Sequence, residues 1–333
     1  MTCMGNSLPI FPKSEPSISV LAETLAVGST ILTGLVVFTS YALKYPKFLE
    51  VCTTLEKIDH DLQLGTPETC TTVNLPIVVL STATTIIIQE ANIYMYLEAD
   101  PELFVRTVMA NVLFVVVFCG QVGLLIHFQQ VAYGITRRFR LVNDRIRLEV
   151  LTRCLGPTVH QNPQCVRIRQ DRLSGKKVNS LMSAYHLLCD TVYQANDFYG
   201  YLLLTSIYYT FINITQSLYF FLVSIGETDA MNTCTIASAI FYFVTFLVLV
   251  AVSSAAVSEA AGDTAPLIRQ LMNLDLGSEL REELRSFLLQ LAYTPVEFSA
   301  AGFFQINRQT LTSITAAVTT YLVIMIQFRT QSN

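Results

Sequence analysis

The most informative property of this sequence is how little charge it carries. Asp, Glu, Lys and Arg make up 14% of its 333 residues, whereas a soluble domain of ordinary composition has about 25%. Hydrophobic residues make up 52%, and the charged residues are clustered, which leaves long stretches almost without charge. A protein that crosses a membrane several times explains both features. The alternative is a large soluble α-helical protein with buried helices.

Motifs that would indicate a metal site, an enzyme or a nucleic-acid interface are also missing. The eight cysteines show no CxxC spacing and no nearby histidine pair, so we expect no zinc site and no cofactor. No P-loop, GxSxG, HExxH or DFG-like set is present, so we expect no catalytic residues. The arginines do not alternate with aromatic residues in a basic patch, which argues against a nucleic-acid partner. Residues 1–17 are polar and lack the pattern of a charged segment, an apolar stretch and a cleavage site, so we expect no cleaved signal peptide there.

Six stretches have the apolar length that a membrane-crossing helix needs, which is about 20 residues, although the last of them is slightly short. They are Ser19–Leu43, Leu75–Leu97, Phe104–Tyr133, Gly200–Ser224, Cys234–Val257 and Leu311–Phe328. The third stretch is longer than one crossing requires, and its later part is polar. We therefore expect it to continue beyond the membrane as one helix.

Lys and Arg collect in the connections at one end of these spans, which we call the basic end. The connections after the first, third and fifth spans hold 18 of the 21 Lys and Arg residues, whereas the two others hold none and are acidic. By the positive-inside rule the basic end is cytosolic. The sequence thus predicts a multi-pass plasma-membrane protein with an extracellular C-terminus. Its outer loops are tiny, so a ligand must enter between the helices.

The predicted fold class is all-α: a polytopic membrane helical bundle with six spans, whose helices extend into a cytosolic anchor. Apolar residues in the cytosolic connections recur at helical spacing. The expected organisation is a polar N-terminal segment (1–18), spans one to three (19–134) with a helical cytosolic loop (44–74), a helical cytosolic connection (135–199), spans four and five (200–257), cytosolic helices (258–310), and the last span with a short extracellular tail (311–333).

Polar and ionisable groups inside the spans are candidates for a functional site, because leaving them in hydrocarbon is costly. Several lie in the outer halves of the second, third and fourth spans, where they could line a ligand pocket that opens outward. These ligand-binding candidates are Glu90, Asn92, Tyr94, Arg106, Asn111, Gln216 and Tyr219. The alternative is that Glu90 and Arg106 form an ion pair while the others make hydrogen bonds that only hold the bundle together.

The last span contains no charge and has one mostly small or polar stripe at three- and four-residue spacing. The stripe consists of Ser313, Ala317, Thr320, Ile324 and Gln327. Larger apolar residues lie elsewhere on the helix. Such a helix suits the wall of a water-filled pore made by several subunits. The alternative is a helix whose polar residues bind it to its neighbours.

Near its end the chain reads Thr320-Tyr321, five apolar residues and then Gln327-Phe328. This pattern resembles the TYhhhhhQF signature with which the insect gustatory receptors end. The preceding sequence from Gly302 to Arg308 (GFFQINR) is similar to the segment that leads into the family's last helix. The pair Tyr199-Gly200 at the start of the fourth span agrees with the family as well.

The resemblance implies a tetrameric, non-selective cation channel with seven spans per subunit and a central pore surrounded by the last helices. Thr320, Tyr321, Gln327 and Phe328 would belong to the pore helix, with the last two at or near its gate. The expected partners are a small-molecule tastant, permeating cations, membrane lipid and other gustatory receptor subunits. Counted back from the signature, we expect the chain to lack the family's first span, which would leave one wall of the usual ligand pocket open.

We therefore interpret the chain as a subunit of a ligand-gated cation channel that acts as a gustatory receptor. One alternative is a receptor of the G-protein-coupled type, which the extracellular C-terminus and the lack of DRY-like or NPxxY-like sites disfavour. Another is a truncated accessory subunit that needs a partner receptor. A secondary transporter is disfavoured because neither inverted repeats nor broken helices occur at matching positions.

Overall fold

A computed structural model describes residues 16–61, 75–99, 104–155, 163–224, 230–274, 278–293 and 295–332. Over these residues the predicted all-α fold is confirmed, and the only β-type pairing is one isolated bridge. The helices are α1 (Pro16–Asp61), α2 (Leu75–Ala99), α3 (Phe104–Leu155), α4 (Pro163–Ser224), α5 (Ala230–Gly262), α6 (Thr264–Met272), α7 (Ser278–Tyr293) and α8 (Arg308–Ser332).

Three helices are much longer than a bilayer is thick. Helices α1, α3 and α4 contain 46, 52 and 62 residues, which corresponds to roughly 70–90 Å at 1.5 Å per residue. Over the described residues, the helical segments expected after the first and third spans are therefore continuations of the long helices, whereas α6 and α7 in the connection after the fifth span are separate helices. Pro46 does not end α1, although a proline removes one helical hydrogen bond.

Four helical stretches of the described residues are long and apolar enough to cross a membrane. They are Thr24–His60, Phe114–Leu151, Ala230–Met272 and Arg308–Gln327. Helix α2 contains a shorter apolar stretch, Val78–Ala91. The predicted fourth span in α4 is not among the four, because it contains several Tyr and Thr residues, an Asn and a Gln. The chain is thus a multi-pass membrane protein whose fourth span is unusually polar.

Helix α4 lies at the centre of the bundle, where α1, α3, α5 and α8 all pack against it. This position explains its composition, since polar side chains facing protein avoid the cost of exposure to lipid. The core continues without interruption into the part beyond the membrane, where buried Phe139 packs edge-on against Tyr185 at 5.2 Å between ring centroids.

Polar contacts reinforce the helices at the basic end. Arg138 on α3 forms a two-pronged hydrogen bond with Asp59 on α1. Buried Asn143 donates from Nδ2 to the Ala260 carbonyl at 2.7 Å and accepts from the Thr264 hydroxyl at 2.6 Å. These contacts tie α3 to α1, α5 and α6, so the basic end forms a packed base below the spans.

Candidate functional site

The first turn of α8 is fixed by a reciprocal pair of hydrogen bonds. The Thr310 N–H donates to Asn307 Oδ1 at 3.1 Å, and the Asn307 N–H donates to Thr310 Oγ1 at 3.2 Å. The Thr310 hydroxyl in turn donates to the Gln305 carbonyl at 2.7 Å. This arrangement resembles a capping box and satisfies donors that a helix start otherwise leaves unpaired. It explains why α8 begins at Arg308.

Before α8 the chain makes a tight reversal, which we call the turn loop (residues 295–307). Ser299 pairs with Gln305 in an antiparallel bridge, and the Ile306 N–H donates to the Phe298 carbonyl at 2.8 Å. The reversal passes through Ala301 and Gly302, with φ values of 51° and 81°. Glycine accepts this left-handed region freely, whereas alanine does so at a cost. The turn loop is thus a closed unit held by its own backbone.

The turn loop is attached to both α4 and α5. Asn196 on α4 accepts from the Ser299 N–H at 2.8 Å and donates to Ser299 Oγ at 3.0 Å. Buried Ser254 on α5 donates its hydroxyl to the Ile306 carbonyl at 2.6 Å. Our sequence analysis missed Asn196 and Ser254, because each bonds to a residue far along the chain.

Helix α4 also meets the turn loop through Gly200. A Cβ at this position would lie 3.2 Å from the Ala301 nitrogen and 3.3 Å from its Cα. A glycine therefore allows the two backbones to approach this closely. The sequence analysis noted Gly200 only as part of the Tyr199-Gly200 pair in the family resemblance. The contact with Ala301 is a physical reason for a glycine at this position.

Above the turn loop α8 packs through one apolar face. Val318 is buried, Ile314 and Leu322 are half-buried against neighbouring helices, and the ring of Tyr321 meets Phe211 of α4 edge-on at 5.8 Å. Ile326, in contrast, is exposed. Little of the apolar stretch of α8 is covered by the rest of the chain.

The stripe predicted from the sequence lies on the uncovered side of α8. Ser313, Thr320, Ile324 and Gln327 are exposed, and Ala317 is half-buried. Tyr321, at the edge of this side, is about half exposed. The side chain of the other predicted gate residue, Phe328, lies outside the described part of the chain.

The hydroxyl groups on α8 donate to the helix itself. Thr315, Thr319 and Thr320 each donate to the carbonyl four residues earlier, at 2.8, 2.8 and 2.9 Å. Between Arg308 and Arg329 the sequence contains no acidic or basic side chain, so this part of the helix carries no charge. The exposed side is therefore uncharged, and its hydroxyl and amide groups lie beside exposed apolar residues such as Val323 and Ile324.

A cavity of about 580 Å³ lies beside the lower half of this side, between α4, the turn loop and α8. Ser313 and Ala317 of the stripe line it, together with Tyr208, Phe211 and Gln309. None of its lining side chains is an acid, a lysine or an arginine. Part of the stripe thus borders a space large enough for water and small solutes.

A second polar set lies inside the bundle. Thr33 on α1, Gln121 on α3, Ser206 on α4 and Tyr242 on α5 are almost completely buried, with exposed fractions of 0%, 1%, 0% and 2%. Among the described residues, the three hydroxyl oxygens and both amide atoms of Gln121 have no hydrogen-bond partner. Such groups are rare in native structures, because losing water without a replacement costs free energy.

Aromatic contacts between α3, α4 and α5 place Gln121, Ser206 and Tyr242 at a similar level along the bundle. Tyr242 lies 4.1 Å from Phe118, which is one helical turn before Gln121 on α3. Tyr209, one turn after Ser206 on α4, lies 5.8 Å from Phe243, the neighbour of Tyr242. Sequence analysis missed this set because its members are single polar residues in different spans, with no local pattern.

The outer ligand-binding candidates are only partly within the described structure. Gln216 and Tyr219 are buried on α4, and Tyr219 packs against Phe220 in a small cluster with Ile236. Glu90 on α2 is exposed. The side chains of the remaining candidates lie outside the described residues: Asn92, Tyr94, Arg106 and Asn111.

At the basic end, His127 joins α3 to both α1 and α4. Its Nδ1 lies 3.1 Å from the Tyr199 hydroxyl and 3.4 Å from the Tyr41 hydroxyl, and its ring lies 4.2 Å from that of Phe48. This junction is next to the turn loop. Tyr199 packs edge-on against Phe128, and the Phe128 ring in turn meets that of Phe298 in the turn loop edge-on, at 5.1 Å between centroids.

Ionic contacts lie beside this junction. Asp197 on α4 pairs with Lys44, at 3.7 Å, and with Lys47, both on α1. The hydrogen bond from Lys47 holds the pKa of Asp197 below its usual value, and the charge of Lys44 acts in the same direction. The described residues contain no cluster of His, Cys, Asp and Glu suited to a metal ion.

Comparison with known proteins places this geometry in a family. A family model described as 7tm chemosensory receptor matches residues 8–332. The chain is 29% identical over 164 residues to putative gustatory receptor 28b, and 27% identical over 162 residues to the gustatory receptor for bitter taste 66a, both from Drosophila melanogaster. Each match covers 46% of this chain but only 35% and 30% of the relative, about a third of its length.

The fold is also similar to that of a solved structure. The insect olfactory receptor OR5 from Machilis hrabei matches with a TM-score of 0.68 and 11% identity, over 94% of this chain and 83% of that one. The structure of the same receptor in complex with eugenol matches with a TM-score of 0.60 and 12% identity. At this identity the similarity shows a common helical fold.

Proposed function

Because the chain belongs to the 7tm chemosensory receptor family, we propose that it is a subunit of a ligand-gated, non-selective cation channel acting as a gustatory receptor for small-molecule tastants. The single observation that carries this proposal is the uncovered side of α8, which has no charged side chain, includes exposed Ser313, Thr320 and Gln327, and is little covered by the rest of the chain. Lipid solvates an amide such as that of Gln327 poorly, which favours water or another subunit beside this side.

In the proposed channel, the exposed sides of α8 from several subunits, four by analogy with the family, surround a central water-filled path. Ser313, Thr320 and Gln327 line it, and Gln327 with Phe328 forms or adjoins the gate. The packing of α8 supports this over the alternative that its polar residues attach it to neighbours. The face that packs against the bundle is the apolar one, with Val318 buried and Ile314 half-buried.

The ligand site of the proposed receptor lies among α1, α3, α4 and α5. Thr33, Gln121, Ser206 and Tyr242 offer donors and acceptors that have no partner among the described residues. None of these side chains is ionised at neutral pH, which favours an uncharged ligand with several hydrogen-bonding groups. The outer candidates, including Gln216 and Glu90, would lie on its route from outside.

The proposed orientation puts the basic end in the cytosol and the C-terminus outside, at the plasma membrane. The distribution of Lys and Arg supports it through the positive-inside rule. A C-terminal epitope tag should therefore be accessible to antibody on intact cells. A tag accessible only after permeabilisation would contradict this orientation and favour a receptor of the G-protein-coupled type.

The test of the proposed function is whole-cell current in cells that express the chain, with caffeine, sucrose and eugenol as probes. We expect a probe-evoked cation current whose ion permeability ratio changes in Gln327→Ala. Gln270→Ala removes the same chemical group from an exposed site on α6 and should behave as wild type. Surface expression without any current would contradict the channel, and unchanged permeation in Gln327→Ala would contradict the pore assignment.

A further inference from the structure

Helices α4 and α5 each connect the interior polar set to the turn loop without a break. On α4, Asn196 contacts the turn loop and Tyr209 lies beside the interior set, 13 positions further along one continuous helix. On α5, Tyr242 and Ser254 are 12 positions apart in the same way. At 1.5 Å per residue each pair is separated by roughly 20 Å.

The turn loop is held at both ends by hydrogen bonds to these two helices. Its first part is bound to α4 through Asn196 and Ser299, and its last part to α5 through Ser254 and Ile306. Between these points the bridge from Ser299 to Gln305 closes the reversal. A change in the relative position of α4 and α5 therefore has to tilt or shift the turn loop.

The base of α8 follows the turn loop directly. The Asn307–Thr310 cap joins α8 to it, whereas above the cap the contacts of α8 with the bundle are mainly apolar. Apolar packing is not directional and allows sliding, whereas hydrogen bonds fix position. The directional contacts at the base of α8 are thus concentrated at the turn loop, with an exposed Arg308–Glu259 ion pair beside it.

We propose that Asn196 and Ser254 are positioning residues that transmit movements of α4 and α5 to α8 through the turn loop. This inference rests on the proposed channel function. Binding beside Tyr209 and Tyr242 shifts α4 relative to α5, the two anchored ends of the turn loop move with them, and α8 changes its tilt around the pore. Asn196 and Ser254 contact neither the ligand nor the permeating ion.

The experiment compares Asn196→Ala and Ser254→Ala with wild type in whole-cell recordings, using whichever of caffeine, sucrose and eugenol evokes the largest current. Ser254→Ala loses one hydrogen bond to the turn loop, which should raise the half-maximal concentration about three- to tenfold. Asn196→Ala loses two, so its shift should be at least as large. The reversal potential should stay unchanged, because the pore wall is intact. Asn196→Asp keeps the acceptor for the Ser299 N–H and loses the donor, so its shift should be intermediate.

Matched controls lie on the same helices. Asn179→Ala on α4 removes an exposed amide, and Ser258→Ala on α5 removes a hydroxyl one turn beyond Ser254 that bonds only within its own helix. Both should respond as wild type. Surface biotinylation of every variant normalises the currents to the number of channels.

Different results would contradict the roles of Asn196 and Ser254 and the channel function itself. An unchanged half-maximal concentration in both alanine variants, beside a responding wild type, overturns the inference alone. A loss of surface protein with normal concentration dependence in the remaining channels assigns the two residues a purely structural role and overturns it as well. Silence of the wild type to all three probes overturns the proposed function and the inference together.

Discussion

Replacing Gly200 with alanine measures the cost of separating the turn loop from α4. The new Cβ would meet the backbone nitrogen and Cα of Ala301 at 3.2 and 3.3 Å, and backbone atoms cannot swing aside as a flexible side chain can. Forcing a methyl group into such a contact costs about 1–3 kcal/mol. Alanine otherwise gains roughly 1 kcal/mol over glycine inside a helix. We expect a net loss of up to about 2 kcal/mol in unfolding free energy.

Gly123→Ala provides the matched control, because a Cβ at that position of α3 meets nothing within 4 Å. This variant should keep the helix-propensity gain without a contact cost. The two purified variants should therefore differ by about 1–3 kcal/mol. The assay is unfolding in detergent, followed as the fraction of protein that stays monodisperse after heating. If Gly200→Ala is as stable as Gly123→Ala, the reasoning about this contact is wrong.

Three further predictions concern the basic end. Asp59→Asn leaves the mostly buried Arg138 without its carboxylate partner and should lower the free energy of unfolding by about 1–3 kcal/mol, measured by thermal unfolding. Arg147→Ala breaks only the exposed pair with Asp144 and should lower it by less than about 1 kcal/mol. Equal losses in the two variants would refute this. The lowered pKa of Asp197 means that its ionised form stabilises the fold at pH values above the unfolded pKa. Asp197→Asn should therefore be slightly destabilising at pH 7, by less than about 1 kcal/mol. The difference should shrink as the pH falls from about 4 through the lowered pKa, and a pH-independent difference would contradict this. Burial raises the pKa of Cys189 to about 12, so at pH 8 its thiol is not in the reactive thiolate form. Mass spectrometry should therefore find Cys189 alkylated by iodoacetamide at pH 8 only after unfolding. Labelling of the native protein would contradict this burial.

Runs without charge predicted where the spans lie, and the length of the third run predicted that its helix continues beyond the membrane. The clustering of Lys and Arg predicted which end is cytosolic, and this orientation stays a prediction. The continuous lengths of α1 and α4 were not predicted. No local pattern indicated that α1 passes through Pro46, because a proline usually interrupts a helix. Contacts to other helices, such as the Lys44–Asp197 pair, hold this part of α1 in place, and such contacts are not encoded locally.

The two faces of α8 could be read from spacing alone. A period of about 3.6 residues separates Val318, which is buried, from Ser313 and Thr320, which are exposed. Whether the exposed face meets water, lipid or another copy of the chain is not contained in that period. The proposed pore assignment therefore rests on the exposure of this face in the fold and on the family.

The anchoring of the turn loop could not be predicted from one sequence. Asn196 bonds to Ser299, 103 positions away, and Ser254 bonds to Ile306, 52 positions away. A single asparagine or serine in a helix has many structural explanations, and only the fold selects among them. The interior polar set was missed for the same reason, since its residues come from four different helices.

The threonines of α8 have a further consequence for how this helix can move. Each hydroxyl proton of Thr315, Thr319 and Thr320 is already bound by a carbonyl of the same helix, and this bond travels with the helix when it rotates or tilts. The helix can therefore exchange one set of neighbours for another without stranding a donor, while the hydroxyl oxygens stay available to accept from water. A span that carries its own hydrogen bonds can be wet in one state and dry in the next at little cost.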